Sequence, residues 1–189
     1  YGDKAVLRFE GSFKNKDILI NIDMRQCELK YLSSLNDGDH INSIGVSYYE
    51  ERKYQEAYPY FVRAAHMGEA AALYNLGMMY HFGKGVAKDY EAAKDYYEQA
   101  CEQKYPLAYN NLGSLYYNGT YVKQDYIKAF DLFMKAAERG IENAQFTVAS
   151  MLYHGDGVNI DKPAARKWFE KAAAQGSREA KKYLDSWIN

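Results

Sequence analysis

Between Gly68 and Gly176 the chain repeats itself at a fixed interval. Leu76-Gly77 returns as Leu112-Gly113 and again as Val148-Ala149, 36 residues further on each time. Ala93, Ala129 and Ala165 keep the same interval, as do Val86, Val122 and Val158. Self-similarity at such a period is the signature of a solenoid, in which one supersecondary unit stacks on copies of itself. It implies an interaction surface and does not name the partner.

Each full unit reads as a first helix (A), a glycine-rich loop and a second helix (B). The loops are Gly83-Lys84-Gly85-Val86, Gly119-Thr120-Tyr121-Val122 and Gly155-Asp156-Gly157-Val158. The B helices carry Tyr96-Tyr97 with Ala100, Phe130 and Phe133 with Ala136-Ala137, and Trp168-Phe169 with Ala172-Ala173. The spacing places full units at 69–104, 105–140 and 141–176. A shorter unit at 38–68 precedes them, because Gly45 to Ala57 spans 12 residues whereas Gly77 to Ala93 spans 16. A glycine inside a helix costs about 1 kcal/mol relative to alanine. Something offsets that cost at Gly45, Gly77 and Gly113, and Ala149 shows that the requirement is small size. A close crossing by helix B is expected there, with the Ala93, Ala129 and Ala165 series facing it.

Residues 1–37 lie outside the repeat. Val6–Glu10 and Ile18–Asp23 alternate in part with period two, which predicts a small β-hairpin over 6–23. Met24, Cys27, Tyr31, Leu32 and Leu35 follow at helical steps and predict a capping helix over 24–36. Asp39 is the expected N-cap of the next helix. At the other end, 177–189 begins a fifth A helix with Ala180, Leu184, Trp187 and Ile188 on one face. Asp185 stands there in place of the small residue, as suits a terminal cap whose outer face meets water.

Net charge is −1, so nothing favours a nucleic acid or an acidic membrane as partner. No apolar run is long enough for a membrane span. The unusual count is 20 Tyr against 2 Trp and 8 Phe, and tyrosine suits surfaces that are apolar with one wet edge. Cys27 and Cys101 form no ligand spacing and read as reduced structural thiols, with a single disulfide as the alternative. The chain begins at Tyr1 and reads as processed or trimmed, leaving bacterial cytoplasm and periplasm both open.

The string Ala72, Tyr74-Asn75-Leu76-Gly77, Tyr80, Gly83-Lys84-Gly85-Val86, Asp89-Tyr90, Ala92-Ala93, Tyr97 resembles the Sel-one-like repeat (SLR) of the tetratricopeptide superfamily. The resemblance covers about residues 38–188, and the first unit looks more like a plain tetratricopeptide repeat. Departures are Tyr121 for the second loop glycine, Ala149 for the helix glycine and Pro163 near the start of the last B helix. The resemblance implies an all-α, right-handed α-solenoid of antiparallel helix pairs. It also implies a module that acts by holding another protein.

No enzyme constellation is present, and neither cofactor nor metal is expected. His40, His66, His81 and His154 form no HExxH pair, and Gly83-Lys84-Gly85 lacks the spacing of a phosphate loop. The cysteine-rich relatives that bind penicillin-like compounds carry paired cysteines that this chain lacks. Hydrolysis or β-lactam binding is therefore the remote reading. A bacterial immunity protein or other inhibitor that neutralises a toxin is the nearer alternative to an adaptor or scaffold.

In the resembling superfamily the A helices line the concave wall. Counting from the small residue, the inward positions are three before, one after and four after. The expected partner-binding residues are Asn42, Tyr74, Asn110 and Phe146; Val46, Met78, Ser114 and Ser150; and Tyr49, His81, Tyr117 and Tyr153. This is an aromatic and polar stripe without Lys or Arg. It fits a peptide or a protruding protein element better than a C-terminal carboxylate. The hydroxyls of Tyr74, Tyr117 and Tyr153 are expected to converge on one groove. Tyr80 and Tyr116, which alternate with the stripe, are expected to pack between units.

Overall fold

The computed structural model describes residues 37–187, together with two short strands, β1 (Val6–Leu7) and β2 (Ile20–Asn21). The strands pair antiparallel, Val6 opposite Asn21 and Leu7 opposite Ile20. The rest of the expected hairpin, the helix expected over 24–36 and Ile188 lie outside the described residues.

Helices form wherever the 36-residue pattern placed them. They are α1 (Gly38–Glu50), α2 (Tyr54–His66), α3 (Ala70–Phe82), α4 (Tyr90–Glu102), α5 (Pro106–Asn118), α6 (Tyr126–Glu138), α7 (Glu142–His154), α8 (Lys162–Ala174) and α9 (Arg178–Ser186). Each A helix packs on the B helix of its own unit and on the B helix before it, so contacts run between sequence neighbours. That is an all-α solenoid of helix pairs, held together unit by unit. Asp89, Asp125 and Asp161 cap the B helices of the three full units by accepting backbone N–H bonds. The cap of α1 is Asp37 rather than the expected Asp39. Its carboxylate accepts from Asp39 N and His40 N, which puts Asp39 in the first turn.

The small position works as a seat for a ring. A Cβ on Gly77 would lie 2.6 Å from Cδ1 and Cε1 of Tyr97, and 3.3 Å from the Ala93 carbonyl oxygen. Phe61 covers Gly45 and Phe133 covers Gly113 in the same way. So the aromatic residue of helix B, more than the expected alanine, fixes the size limit. At Gly77 the facing Ala93 contributes through its backbone. Ala149 and Phe169 are both fully buried at the fourth crossing.

Between units the core is continuous. Ala72, Ala108, Ala144 and Ala180 are fully buried where successive A helices meet the preceding B helix. The matching position in α1 is His40, which is exposed. Ser47 is likewise exposed where Met79, Leu115 and Met151 are buried. That face of α1 therefore presents polar groups where later units bury apolar ones. At the other end, Lys182 and Asp185 of α9 are exposed at the positions that meet a B helix in earlier units.

The second loop position adopts a left-handed backbone in all three long loops. Gly85 has φ 74°, Gly157 φ 71° and Tyr121 φ 64°. Tyr121 thus keeps the loop shape despite its side chain, at the strain cost of about 1–2 kcal/mol that a Cβ brings there. Its hydroxyl donates to Glu91 Oε2 of the preceding B helix at 3.0 Å.

Candidate functional site

Residues three before, one after and four after the small position are i, i+4 and i+7 of one helix, and so share a face. The structure carries them on α1, α3, α5 and α7. Asn42 is buried, and its Oδ1 accepts from Asn75 Nδ2 at 3.0 Å across the first junction. Val46, Tyr49, Tyr74, Met78, His81, Asn110, Ser114, Tyr117, Phe146, Ser150 and Tyr153 are all half-buried.

Half-burial has a definite meaning here, because many of these side chains also join one unit to the next. Tyr74 packs on Tyr97 of its own unit and on Tyr105 of the following one, with centroids 6.0 and 5.3 Å apart. Phe146 leans on Phe169 and on Tyr183 of α9. Tyr153 meets Tyr183 and Trp187 edge-on. Tyr117 packs on Tyr126, and its hydroxyl donates to Asp156 Oδ2 of the next loop at 3.2 Å. Met78 Sδ accepts from Asn111 Nδ2 at 3.0 Å. Ser114 bonds back to the Asn110 carbonyl within its helix, so its side chain ties no units together. Of the alternating tyrosines, Tyr80 is buried, stacked on Tyr96 and bonded through its hydroxyl to Tyr58. Tyr116 is half-buried, with Lys128 over its ring.

The environment is mildly polar and has few charges. His81 Nδ1 lies 3.4 Å from Tyr97 Oη, and its ring meets Tyr90 edge-on. Burial, helped by the Lys88 charge, holds its pKa below the ordinary histidine value. Burial, then the Asp156 carboxylate, raises the Tyr117 phenol. Although the stripe itself has no Lys or Arg, Lys162 sits 5.2 Å from the Tyr153 ring centroid, and Lys88 sits 4.8 Å from that of Tyr90. These cations come from loops and B-helix starts, which the stripe positions alone do not include. Among the described residues no group of three or more His, Cys, Asp or Glu is placed to hold a metal ion. Cys101 is a free thiol whose pKa burial pushes up to about 12, and Cys27 lies outside the described residues.

One position went unread in the sequence: two before the small residue, at Asn75, Asn111 and Tyr183. Asn75 reaches Asn42, Asn111 reaches Met78 and Tyr97, and Tyr183 stacks on Phe169 at 4.7 Å. All three connect an A helix to the unit before it. Two asparagines in register on an otherwise apolar face were the available signal.

Residues 70–105, 106–141 and 143–177 match the family model of the Sel1 repeat. No curated protein sequence matches the chain. Among solved structures, the chain is similar to a protective antigen of uropathogenic Escherichia coli strains that displays an SLR fold. The identity is 32% and the TM-score 0.75, over 83% of this chain and 34% of that one. It is 31% identical to a Sel1 repeat protein from Oxalobacter formigenes, with TM-score 0.75, over 82% of this chain and 66% of that one. Cysteine rich protein B of Helicobacter pylori is 28% identical, with TM-score 0.55, over 68% of this chain and 92% of that one. The chain thus spans about a third of the length of the first of these and just under two thirds of the second. Among the described residues no helix is long and apolar enough to cross a membrane.

Proposed function

Because the chain belongs to the Sel1 repeat family, whose repeats mediate protein interactions, we propose that it is a non-enzymatic module holding a partner polypeptide along its A-helix stripe. Its repeating units are 38–68, 69–104, 105–140 and 141–176, and the stripe runs across all four. The observation that carries this reading is a contrast within each A helix. Two buried positions keep their type through the full units: alanine at Ala72, Ala108 and Ala144, and leucine or valine at Leu76, Leu112 and Val148. The stripe positions one residue after the small site change from Val46 and Met78 to Ser114 and Ser150. Packing constrains the first set, and the second is free to suit a ligand.

Tyr74, Tyr117 and Tyr153 offer ring area and hydroxyls with few rotamers to freeze, which favours a paratope-like surface. Neighbouring units hold these rings in place, so the surface is preorganised and loses little entropy on binding. Ser114 and Ser150 are small, polar, half-buried residues one turn before Tyr117 and Tyr153 on the same face.

The test must spare the inter-unit rings. Ser114→Arg combined with Ser150→Arg adds bulk to the stripe without removing any junction contact. Capture from a lysate of the source organism, read by mass spectrometry, identifies a partner of the parent protein. We expect the double variant to keep the parent's circular dichroism and melting point and to lose that partner. Retention of the same partner by the folded variant would move the site off the stripe.

A further inference from the structure

The edge where the A–B loops meet the B-helix starts changes character in the third and fourth units. Ile127, Ile160 and Tyr121 are 66%, 62% and 61% exposed. In register, Ile127 corresponds to Glu91 of the second unit, Ile160 to Lys88, and Tyr121 to Gly85. Apolar side chains thus face water where a sister unit has a charge or no side chain at all. The repeat packs without them, and of the three Ile127 lines a groove.

A groove of about 730 Å³ opens on this edge, with Tyr116, Val122, Lys123, Ile127, Lys128 and Gly157 among its walls. Lys128 Nζ donates to Tyr116 Oη at 2.7 Å and lies 4.0 Å from the ring centroid. The tyrosine therefore holds the ammonium at the groove. Lys123 is exposed, and neither lysine is ion-paired among the described residues. One acid, Asp125, also lines the groove, and its Oδ1 is held by Lys128 N at 2.9 Å as the cap of α6. What remains is an apolar wall beside two lysines and one carboxylate, a groove of net positive charge.

We propose that this groove is a second docking site, sharing no residue with the A-helix stripe, for an acidic–apolar peptide segment of a partner protein. A leucine-sized side chain of the segment covers Ile127 and Val122. An adjacent Asp or Glu meets Lys128 and Lys123, where charge complementarity selects it and excludes a basic segment. Tyr116 is a positioning residue that orients Lys128.

The probe is an acetylated, fluorescein-labelled hexapeptide alternating leucine with glutamate. One control carries lysine for the glutamates and another serine for the leucines. Fluorescence anisotropy reads binding to the full chain, and two-dimensional amide NMR reads its location. We expect the acidic–apolar peptide to bind about tenfold more tightly than either control, a 1.4 kcal/mol difference. Amide shifts should gather at 122–128 and Gly157. Ile127→Glu installs the residue that the second unit already carries there, so it should fold normally and abolish the preference. Ser114→Arg, on the stripe, should leave it intact. Equal binding of the three peptides, shifts confined elsewhere, or a full preference in folded Ile127→Glu would each overturn the proposal. So would sedimentation showing a parent dimer that Ile127→Glu converts to monomer, since the occupant would then be a second copy of the chain.

Discussion

The second and fourth units build the same helix crossing from different residues. In the second, glycine lies under a tyrosine whose hydroxyl is bonded: Asn111 Nδ2 donates to Tyr97 Oη at 3.3 Å, and His81 is 3.4 Å away. In the fourth, alanine lies under a phenylalanine with no such tie, and the ring stacks on Tyr183 with an interplanar angle of 10°. A tethered ring cannot slide away from an added methyl group, whereas an untethered one can. The third unit, glycine under phenylalanine, is looser, with the nearest ring atom 3.1 Å from a Cβ on Gly113. At Gly45 an added Cβ would lie 2.7 Å from the Phe61 ring and 3.2 Å from Tyr60 Cβ, so two residues limit the size there. The helix glycine thus answers to how firmly its ring is held, as well as to the crossing itself.

The severest challenge to this comparison is removal of 177–189. It strips Tyr183, Leu184 and Trp187 from the fourth unit and exposes Phe169. Each such side chain contributes about 1.5–3 kcal/mol when fully buried. We expect a truncated chain that aggregates or melts far below the parent in differential scanning fluorimetry. A soluble, unchanged truncation would show that α9 does not support the fourth crossing.

Next in size is Gly77→Leu, which should destabilise by the roughly 1–3 kcal/mol typical of overpacking, read by urea melts. Gly77→Ala sharpens the point. Alone it should destabilise, because Tyr97 blocks the methyl. In a Tyr97→Phe background it should stabilise, as the ring slides and the helix-propensity gain of about 1 kcal/mol appears. Additive effects in that double-mutant cycle would remove the tether from the explanation. The converse change, Ala149→Gly, should cost only that same propensity, about 1 kcal/mol.

The smallest effect is on pH dependence. His81 has a folded pKa below its unfolded value, so the fold favours the neutral ring. That contribution is complete above the unfolded pKa of about 6.5 and is lost as pH falls through the folded pKa. His66, also lowered by burial, acts in the same direction. Melting points should therefore decline as pH drops below about 6.5. The third and fourth units have Tyr117 and Tyr153 at the His81 position and so carry no imidazole there. His81→Tyr should accordingly reduce the slope without abolishing it. An unchanged slope would place the effect wholly in His66 or in carboxylates.

The helix pairs were legible because a 36-residue interval leaves few ways to stack, and Gly77, Gly113 and Ala149 share a requirement that shows in composition. What covers them was not legible. The aromatic lies 20 residues on, and several aromatics of each B helix compete for that role. Asn75 escaped notice because its partner, Asn42, is 33 residues away in another unit. The polar face of α1 was readable in principle, but the first unit's shorter loop hides the register of His40 with Ala72. The left-handed backbone at Tyr121 was obscured because only glycine announces that conformation in sequence. As for the stripe, helical spacing found its face. The second occupation of its rings, as links between units, depends on which neighbour each side chain reaches.

The exposed His40 and Ser47 also bear on the order in which the array comes apart. Among the described residues, the first unit shares one interface with a neighbour where an inner unit shares two. Fraying opens such arrays from their ends, and the end helices reach the open state with less free energy than the middle. Amide protons of α1 should exchange faster than their counterparts in α3 and α5, with protection climbing along the axis toward the junction bridged by Tyr117 and Asp156. A clasp there makes the stretch from α5 to α8 the slowest-exchanging segment, and so the last to dissolve.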